Sequence, residues 1–391
     1  MNRPTLILHR GKDKSILRRH PWLFSGAVAH TKGHPVAGDL VDILSADGNW
    51  LAVGHYQNDS IICKILSFDS PVVDDAFWDS RIELAVNYRR RLGLLTNPDT
   101  TMFRLVHGEG DQLPGLIADY YNGILVLQAH SMGMHRMFPL FVEFFRRHLP
   151  SLIAVYDKSS ATLPNATLPN AYLWGGEQPD EWEVAESGLR YMINFDEGQK
   201  TGFFLDQRDN RELVGRMASG QRVLNCFSYT GGFSLAALHG GATLVHSVDI
   251  SRRAIDLCNR HVNLNFDHAP HEAIVADVTQ YLDTVDASYN LIILDPPAFA
   301  KNHRSLQNGL KGYRHINQRA IEKIAPSGWL FTFSCSQAVS AADFQTMVFT
   351  SAANAHRNVR IVRRLHHGAD HPVSVYHPEG EYLKGLLLYV E

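Results

Sequence analysis

The sequence predicts a multidomain protein with a small β-barrel, a central α+β domain and a C-terminal α/β domain. Three observations predict this fold class. The length of 391 residues suggests two or three domains. Short strand-like runs separated by turn residues fill the N-terminal part, and strand-like and helix-like segments alternate from about residue 186. We therefore expect domains at residues 1–72, 73–185 and 186–391.

The first domain is predicted from its alternating strand patterns. The stretches "GDLVDILSADGNWLAVGHY" and "SIICKILSF" have the composition of short strands, and Asp47-Gly48 is a hairpin turn signal. A closed barrel would leave few open strand edges. These residues therefore predict a small β-barrel.

The central domain is predicted to mix helices and strands. Residues 75–95 have a helical pattern, with a basic face at Arg89, Arg90 and Arg91, and a second helix is expected near 136–148. Strand-like runs lie between residues 103 and about 160. The duplicated "ATLPNATLPN" at 161–170 is too short to form a solenoid, so it predicts a loop or hairpin extension.

The C-terminal domain is predicted to contain a parallel sheet, because its strands are separated by helices. "RVLNCFS", "LVHSVDIS", "HEAIVADV", "NLIILDPP" and "GWLFTFSCS" are the expected strands. In such sheets, ligands bind outside the carboxyl ends of the strands. The residues that directly follow each strand are therefore the candidates for function.

Residues that could bind a nucleotide-like ligand follow the first three of these strands. Gly231-Gly232 allows close approach of backbone to a ligand at a helix N-terminus. Asp249, after the second strand, could accept hydrogen bonds from ribose hydroxyls, and Asp277, after the third, from an adenine amino group. A double-glycine turn alone often serves only packing. Acids at successive strand ends favour a binding site.

The fourth strand ends in "LDPPAF", which places Asp295 before the stiff pair Pro296-Pro297 and the aromatic Phe299. A basic run follows: residues 301–319 carry five Lys or Arg and no acid, and residues 1–25 carry six against a single Asp. Either run alone is most simply a solvated face. The two together favour a polyanionic substrate.

Composition excludes several other classes of protein. No apolar run approaches the roughly 20 residues of a membrane span, and the N-terminus has no signal-peptide pattern. The four cysteines form no CxxC pair or zinc spacing, which favours a reducing, cytoplasmic setting. The two histidines of "ADHPVSVYHPEGEYLKG" fit no common ligand spacing, so no metal is expected.

The chain resembles the bacterial 23S rRNA cytosine-C5 methyltransferases that carry an N-terminal PUA domain. Matching stretches occur in the same order along nearly the whole chain; they are "RRHPWLFSGAVA", "GEGDQLPGL", "KTGFFLDQRDNR", "VLNCFSYTGGFSLAAL", "LDPPAF", "GYRHIN", "FTFSCS" and "ADHPVSVYHPEGEYLKG". Residues 186–391 resemble a class I S-adenosylmethionine-dependent methyltransferase. The departures are the "ATLPN" duplication and the single Asp277 where relatives often have paired acids.

The resemblance implies S-adenosylmethionine as cofactor, 23S rRNA as partner, and a nucleophilic cysteine in "SCS", here Cys335. Cysteine attack on C6 of cytosine would activate C5, with Asp295 at the Watson–Crick edge and Phe299 stacked on the extruded base. The remaining cofactor assignments lie in the matching stretches or beside the strand-end acids: Thr201, Phe227, Ser228, Tyr229, Thr230, Gly231, Ile250 and Val278. The remaining substrate assignments are Pro296, Pro297, Lys301, Arg304, Arg18 and Arg19.

Alternatives stay open at this point. An Asp-Pro-Pro turn followed by an aromatic also suits methylation of an exocyclic amine, for which Cys335 would be dispensable. An inactive RNA-binding module is disfavoured by the intact Gly231, Asp249 and Asp295, and a nicotinamide dehydrogenase by the lack of GxGxxG. Each cysteine could also be a packing residue, as buried cysteines commonly are. The oligomeric state, a homodimer included, and the base that removes the C5 proton are left open.

Overall fold

The computed structural model describes residues 3–163 and 168–391 of the chain. Six short strands form its first sheet. The strand order is β2-β6-β5-β4-β1-β3, antiparallel except for the β1–β4 pair. The elements are β1 (Thr5–Leu8), α1 (Lys14–Leu17), β2 (Trp22–Phe24), β3 (Val28–Lys32), β4 (Leu40–Leu44), β5 (Trp50–Tyr56) and β6 (Ile61–Ser67). Alternate residues such as Val41 and Ile43 point into a small apolar core. The β-rich N-terminal domain is thereby confirmed.

The second sheet has the order β11-β10-β9-β8-β7 and is covered by helices. Its elements are α2 (Asp75–Arg91), β7 (Met102–His107), β8 (Leu116–Tyr121), β9 (Ile124–Ala129), α3 (Met132–Arg136), α4 (Phe138–His148), β10 (Ala154–Asp157) and β11 (Ala171–Trp174). The first predicted helix, at 75–95, is found at residues 75–91, and α4 at 138–148 corresponds to the second, which was expected near 136–148. The "ATLPN" duplication falls partly on residues 164–167, which lie outside the described residues.

The predicted basic face of the first central helix is wrong for Arg89. Its side chain is fully buried, and its guanidinium donates to both oxygens of Asp111 at 2.5 and 2.8 Å. A buried guanidinium needs such a planar carboxylate partner, because leaving it unpaired would cost several kcal/mol. Arg89 also donates to the carbonyl of Asp370 at 2.7 Å, and Asp370 accepts from the backbone N–H of Arg104. This contact ties a distant segment of the chain to the central sheet.

The chain forms two compact units, and each includes segments that are distant in sequence. The first contains residues 1–185, 192–205 and 369–380, and the second contains 186–191, 206–368 and 381–391. A separate two-stranded sheet pairs β12 (Trp182–Glu186) with β13 (Leu189–Ile193). Because both units are discontinuous, we keep the boundaries near residues 72 and 186 as a proposal.

The second unit is built on a seven-stranded sheet with the order β16-β15-β14-β17-β18-β20-β19. Its elements are α5 (Arg208–Met217), β14 (Arg222–Cys226), α6 (Gly232–His239), β15 (Leu244–Asp249), α7 (Arg252–Asn265), β16 (His271–Val275), α8 (Val278–Thr284), β17 (Leu291–Leu294), α9 (Leu306–Lys323), β18 (Gly328–Ser334), α10 (Ala341–Asn354), β19 (Val359–Leu365) and β20 (Lys384–Val390).

The pairs among β14 to β18 are all parallel, as predicted, whereas β20 runs antiparallel to β18 and β19. The chain passes from β14 outward to β15 and β16 and then returns to β17 on the other side of β14. The strand order therefore reverses between β14 and β17, which is where ligands bind in open sheets of this type. The loops that follow β14 and β17 are therefore the candidate ligand-binding loops.

Candidate active site

The loop after β14 has an unusual backbone. Phe227, Tyr229 and Gly231 all have positive φ angles, of 59°, 47° and 86°. Non-glycine residues rarely adopt this region, and each such residue costs of the order of 1–3 kcal/mol, which folds mostly tolerate at ligand sites. Gly231 cannot be replaced without strain, because a Cβ there would also lie 2.4 Å from Cys258 Sγ. Ser228 and Thr230, between the left-handed residues, are buried.

Asp249 links this loop to the loop after β15. One carboxylate oxygen accepts from the backbone N–H of Tyr229 at 2.9 Å, and the other accepts from that of Ser251 at 2.9 Å. Each oxygen has a second lone pair, so the partly buried carboxylate retains capacity for ligand hydroxyls. The next residue, Ile250, is 71% exposed. The two predicted cofactor segments are thus joined by the hydrogen bond from Tyr229 to Asp249.

Asp277 follows β16 and begins α8. Its side chain caps the helix by accepting from the backbone N–H of Gln280 at 3.1 Å. An N-cap acid is stabilising for local reasons, so this contact does not require a ligand. Val278 is buried in the apolar core. The assignments of Asp277 and Val278 to the cofactor stay predictions.

Asp295 is held by a chain of buried amides. Its carboxylate accepts from the side-chain amide of Gln207 at 3.0 Å, and Gln207 accepts from Asn210 at 2.7 Å. Asn210 donates further to the carbonyl of His366 at 3.1 Å. Gln207 and Asn210 are not among the site residues predicted from sequence. Their three-residue spacing in "DQRDN" is a signal for neighbours on one helical face.

Cys335 directly follows β18, the strand that pairs with the Asp295 strand. Its Sγ lies 4.0 Å from the carbonyl oxygen of Pro296. Cys335 is partly exposed, whereas Cys63, Cys226 and Cys258 are completely buried. Burial raises the pKa of Cys258 to about 11, and it raises the pKa values of Cys63 and Cys226 still further. A buried thiol of raised pKa is a poor nucleophile, so Cys335 is the candidate among the four.

Phe299 and the Cys335 segment are joined through one tyrosine. The Phe299 ring lies 4.7 Å from that of Tyr313, and the Phe299 N–H donates to the Tyr313 hydroxyl at 3.4 Å. Tyr313 is also hydrogen-bonded to Ser336 at 2.8 Å, and Ser336 accepts from the N–H of Ala300 at 3.2 Å. These contacts fix the loop after β17 against the loop after β18. Of the two prolines between Asp295 and Phe299, Pro296 is buried and Pro297 is exposed.

Three predicted site residues belong to the first unit. Thr201 is completely buried, and its hydroxyl donates to Asp119 at 2.5 Å and lies 2.8 Å from the Tyr121 hydroxyl. These contacts explain Thr201 without a ligand, so its assignment stays a prediction. Arg19 pairs with Asp69 through both oxygens, at 3.0 and 2.6 Å, and Arg18 is exposed at the end of α1.

Two family models match the chain. One, described as S-adenosylmethionine-dependent methyltransferase, matches residues 103–388, and the other, described as a PUA-like domain, matches residues 6–68. A ribosomal RNA large subunit methyltransferase I of Cronobacter sakazakii is 38% identical over 395 residues, covering 98% of this chain and 99% of that protein. The chain belongs to this methyltransferase family. The protein of the same name from Yersinia pseudotuberculosis is 37% identical, covering 97% and 98%.

Solved structures show the same fold over the full length. An S-adenosylmethionine-dependent methyltransferase structure from Streptococcus mutans has a TM-score of 0.85 at 23% identity, covering 99% of this chain and all of that one. The methyltransferase SMU.776, solved in complex with SAH, has a TM-score of 0.86 at 24% identity and the same coverage. At these identities the likeness concerns the fold alone.

Membership of the family establishes S-adenosylmethionine as the cofactor, and the residues after β14 and β15 fit it. The strained loop presents backbone at the switch point, and Asp249 offers acceptors for ribose hydroxyls beside the exposed apolar Ile250. Among the described residues, no cluster of three or more His, Cys, Asp or Glu is placed to hold a metal. No helix within the described ranges is long and apolar enough to cross a membrane.

Replacing Asp249 with alanine is expected to weaken S-adenosylmethionine binding by about 1.5–3 kcal/mol, the scale of lost hydrogen bonds to a charged group. The substitution should also remove the hydrogen bond that joins the loop after β14, at Tyr229, to the loop after β15. Isothermal titration calorimetry of the variant measures the affinity directly. The matched control is Asp256→Ala, which removes the same charge from the exposed surface of α7. An affinity within twofold of wild type for Asp249→Ala would remove this residue from the cofactor site.

Proposed function

We propose that this protein methylates C5 of a specific cytosine in 23S rRNA, through a covalent bond between Cys335 and C6 of the base. The observation that carries the proposal is the position of Cys335. It is the one partly exposed cysteine of the four, and it follows the strand adjacent to the Asp295 strand, with Sγ 4.0 Å from the Pro296 carbonyl. The names of the curated relatives support large-subunit rRNA as substrate.

The chemistry requires a nucleophile because C5 of cytosine is too weakly nucleophilic to be methylated directly. The Cys335 thiolate adds to C6, so a C6–S bond forms and the electron pair of the C5–C6 double bond makes C5 nucleophilic. S-adenosylmethionine supplies an electrophilic methyl group on a sulfonium sulfur. After C5 takes the methyl group and S-adenosylhomocysteine leaves, transfer of the C5 proton to a base restores the C5–C6 double bond, and the C6–S bond breaks to release the Cys335 thiolate.

Asp295 is proposed to stabilise the ring during sulfur attack. Negative charge develops on the ring as the C6–S bond forms, and a proton held between the Asp295 carboxyl group and N3 neutralises it. The other carboxyl oxygen can accept from the exocyclic amine of cytosine. The amide of Gln207, 3.0 Å from the Asp295 carboxylate, fixes its direction. Because that direction is set before the substrate binds, little reorganisation is needed during reaction.

The residues beside Asp295 are suited to an extruded base. Phe299 is held by Tyr313 on one side and lies 6.2 Å from Phe227, so its ring can stack on a flipped cytosine. Pro296 and Pro297 limit the backbone freedom of the loop between Asp295 and Phe299. We therefore propose Phe299 as the stacking residue and the two prolines as a rigid support.

RNA docking is proposed for exposed basic residues. Lys301 and Arg304 follow the Asp295 loop, and Lys311 and Arg314 on α9 are exposed as well. Arg319 is less available, since it pairs with Asp283 and Glu322. In the first unit we propose contacts by Arg18, and by Arg19 once its pair with Asp69 opens. Such residues bind phosphates without reading sequence. An rRNA substrate also favours action in the cytoplasm.

The alternative of exocyclic-amine methylation is motivated by the Asp-Pro-Pro turn and Phe299. The two products differ in the nucleoside they contain, so the test is direct. Purified protein, S-adenosylmethionine and unmodified 23S rRNA should yield 5-methylcytidine at one position, measured by nuclease digestion and mass spectrometry. N4-methylcytidine would contradict C5 transfer and favour the alternative. A reaction without protein serves as the control.

A further inference from the structure

Lys384, at the start of β20, is a buried lysine whose position the proposed mechanism does not use. Its side chain is only 8% exposed, and its ammonium group donates to the carbonyl oxygen of Ser336 at 2.7 Å. In the antiparallel pairing of β18 with β20, Lys384 lies opposite Ser334. The Lys384 side chain therefore begins opposite Ser334 and ends at the carbonyl of Ser336, and Cys335 is the residue between these two.

A buried ammonium group is costly unless negative groups face it. Burial lowers the pKa of Lys384 from its ordinary value, and interactions with Cys335 and Glu381 oppose that change. The Ser336 carbonyl that accepts from Lys384 is only a dipole. Cys335 and Glu381, in contrast, become negatively charged when they lose a proton. A thiolate at Cys335, which lies between Ser334 and Ser336, would be a charge partner for this lysine.

We propose that Lys384 is a positioning residue that stabilises the thiolate form of Cys335. This inference rests on the proposed function, in which that thiolate attacks C6. The S–H bond of Cys335 breaks and its proton passes to solvent, which reaches this partly exposed residue. The nearby ammonium group offsets the negative charge left on sulfur. The same charge favours departure of the thiolate when the C6–S bond breaks.

This charge is not supplied by Asp295, Glu381 or Tyr313, which lie in the segments beside Cys335 and Lys384. Asp295 follows β17, the strand beside β18, and Glu381 precedes β20; an acid cannot offset negative charge on the Cys335 sulfur. Tyr313 on α9 has a pKa raised by burial and contributes a neutral hydroxyl, which is bonded to Ser336. Of the groups described here beside Cys335, Lys384 carries the positive charge that favours a thiolate at this position.

Alkylation of the native protein can report on this thiol selectively. Cys63, Cys226 and Cys258 are completely buried, so iodoacetamide should label Cys335 first. Cys335→Ala confirms the selectivity. The rate constant of labelling, followed by mass spectrometry from pH 6 to 10, gives the pH at which the thiolate forms. No RNA or methyl transfer is involved.

The variants separate the charge of Lys384 from its hydrogen bond. Lys384→Gln retains a donor for the Ser336 carbonyl and removes the charge, whereas Lys384→Arg retains the charge. In the wild-type protein, the Cys335 thiol should be half-ionised at a pH below roughly 8.5, which is the pKa of an ordinary thiol. Lys384→Gln should shift the midpoint upward by about one pH unit or more, which slows labelling at pH 7 about tenfold. For Lys384→Arg, which keeps the positive charge, the midpoint should stay within about half a pH unit of the wild-type midpoint.

Superimposable profiles for wild type and Lys384→Gln would overturn the inference. If Lys384→Gln fails to fold, shown by loss of S-adenosylhomocysteine binding, the wild-type profile decides, because a midpoint at or above that of an ordinary thiol excludes stabilisation by a cation. A wild-type protein with an acidic Cys335 thiol that forms no adduct with its RNA would support Lys384 and would instead contradict the proposed function.

Discussion

Replacing Cys335 with alanine is expected to lower turnover by roughly 10⁴-fold or more, the scale of losing a covalent nucleophile. Without the sulfur, C5 of cytosine has no route to activation, while the loops after β14 and β15 remain intact. Methyl transfer to 23S rRNA measures the loss, and calorimetry with S-adenosylhomocysteine should give wild-type affinity. The expected result is therefore an inactive protein that binds its cofactor.

The matched control for this substitution is Cys226→Ala. Cys226 ends β14 and is completely buried in the core of the same unit. Its truncation should cost on the order of 1 kcal/mol of unfolding free energy, with turnover retained. Comparable loss of turnover in both variants would indicate a general packing effect. Normal turnover in Cys335→Ala would favour exocyclic-amine chemistry.

Replacing Asp295 with asparagine is expected to lower kcat by about 10²–10³-fold, the effect of removing one group that stabilises developing charge. Asparagine keeps the acceptor for Gln207 and the shape of the loop, so the change removes the ionisable carboxyl group alone. Steady-state kinetics on rRNA measure kcat, and cofactor affinity should be unchanged.

Asp286→Asn is the control for Asp295→Asn, because Asp286 is an exposed acid of the same unit. Its turnover should match that of wild type. If Asp295→Asn lost less than about threefold in kcat, far below the loss expected for such a group, Asp295 would have no role in the chemical step. A rise in KM with unchanged kcat would indicate a role in binding alone.

The strand ends that form the candidate site could be predicted from sequence because their signals are local. Each buried strand is a short apolar run, and the residue after it is visible in the sequence, as for Asp249 and Asp295. Parallel pairing then brings those ends to one edge of the sheet, and the family membership confirms the fold class. The roles of the individual residues stay predictions.

Features that depend on distant partners could not be predicted in the same way. The helical pattern of 75–91 places Arg89 beside Arg90, but its burial depends on Asp111 and on the carbonyl of Asp370. The antiparallel strands β19 and β20 were not predicted either. "VRIVRRL" is basic and mostly exposed, and it forms a strand because β20 pairs with it. Lys384, the first residue of β20, is placed opposite Ser334 by the pairing of β20 with β18.

The contacts around Asp295 show the same limit within the site. Gln207 and Asn210 are polar residues in a helical pattern, and only the folded chain aligns them between Asp295 and the His366 carbonyl. Thr201 is the opposite case. It is predicted to contact the cofactor because it lies in a matching stretch, but in the folded chain its hydroxyl is hydrogen-bonded to Asp119 and Tyr121. Sequence patterns identify polar residues, but their partners follow from tertiary structure.

The central claim is that Cys335 bonds covalently to the target cytosine, and trapping with 5-fluorocytosine tests it most directly. Fluorine at C5 cannot leave as a proton, so methylation proceeds while release of the sulfur stalls. Wild-type protein with fluorinated target RNA and S-adenosylmethionine should give a denaturation-resistant band of slower migration. That band should be absent without the cofactor and absent for Cys335→Ala. No band from an active wild-type protein, or an equal band from Cys335→Ala, would contradict the account.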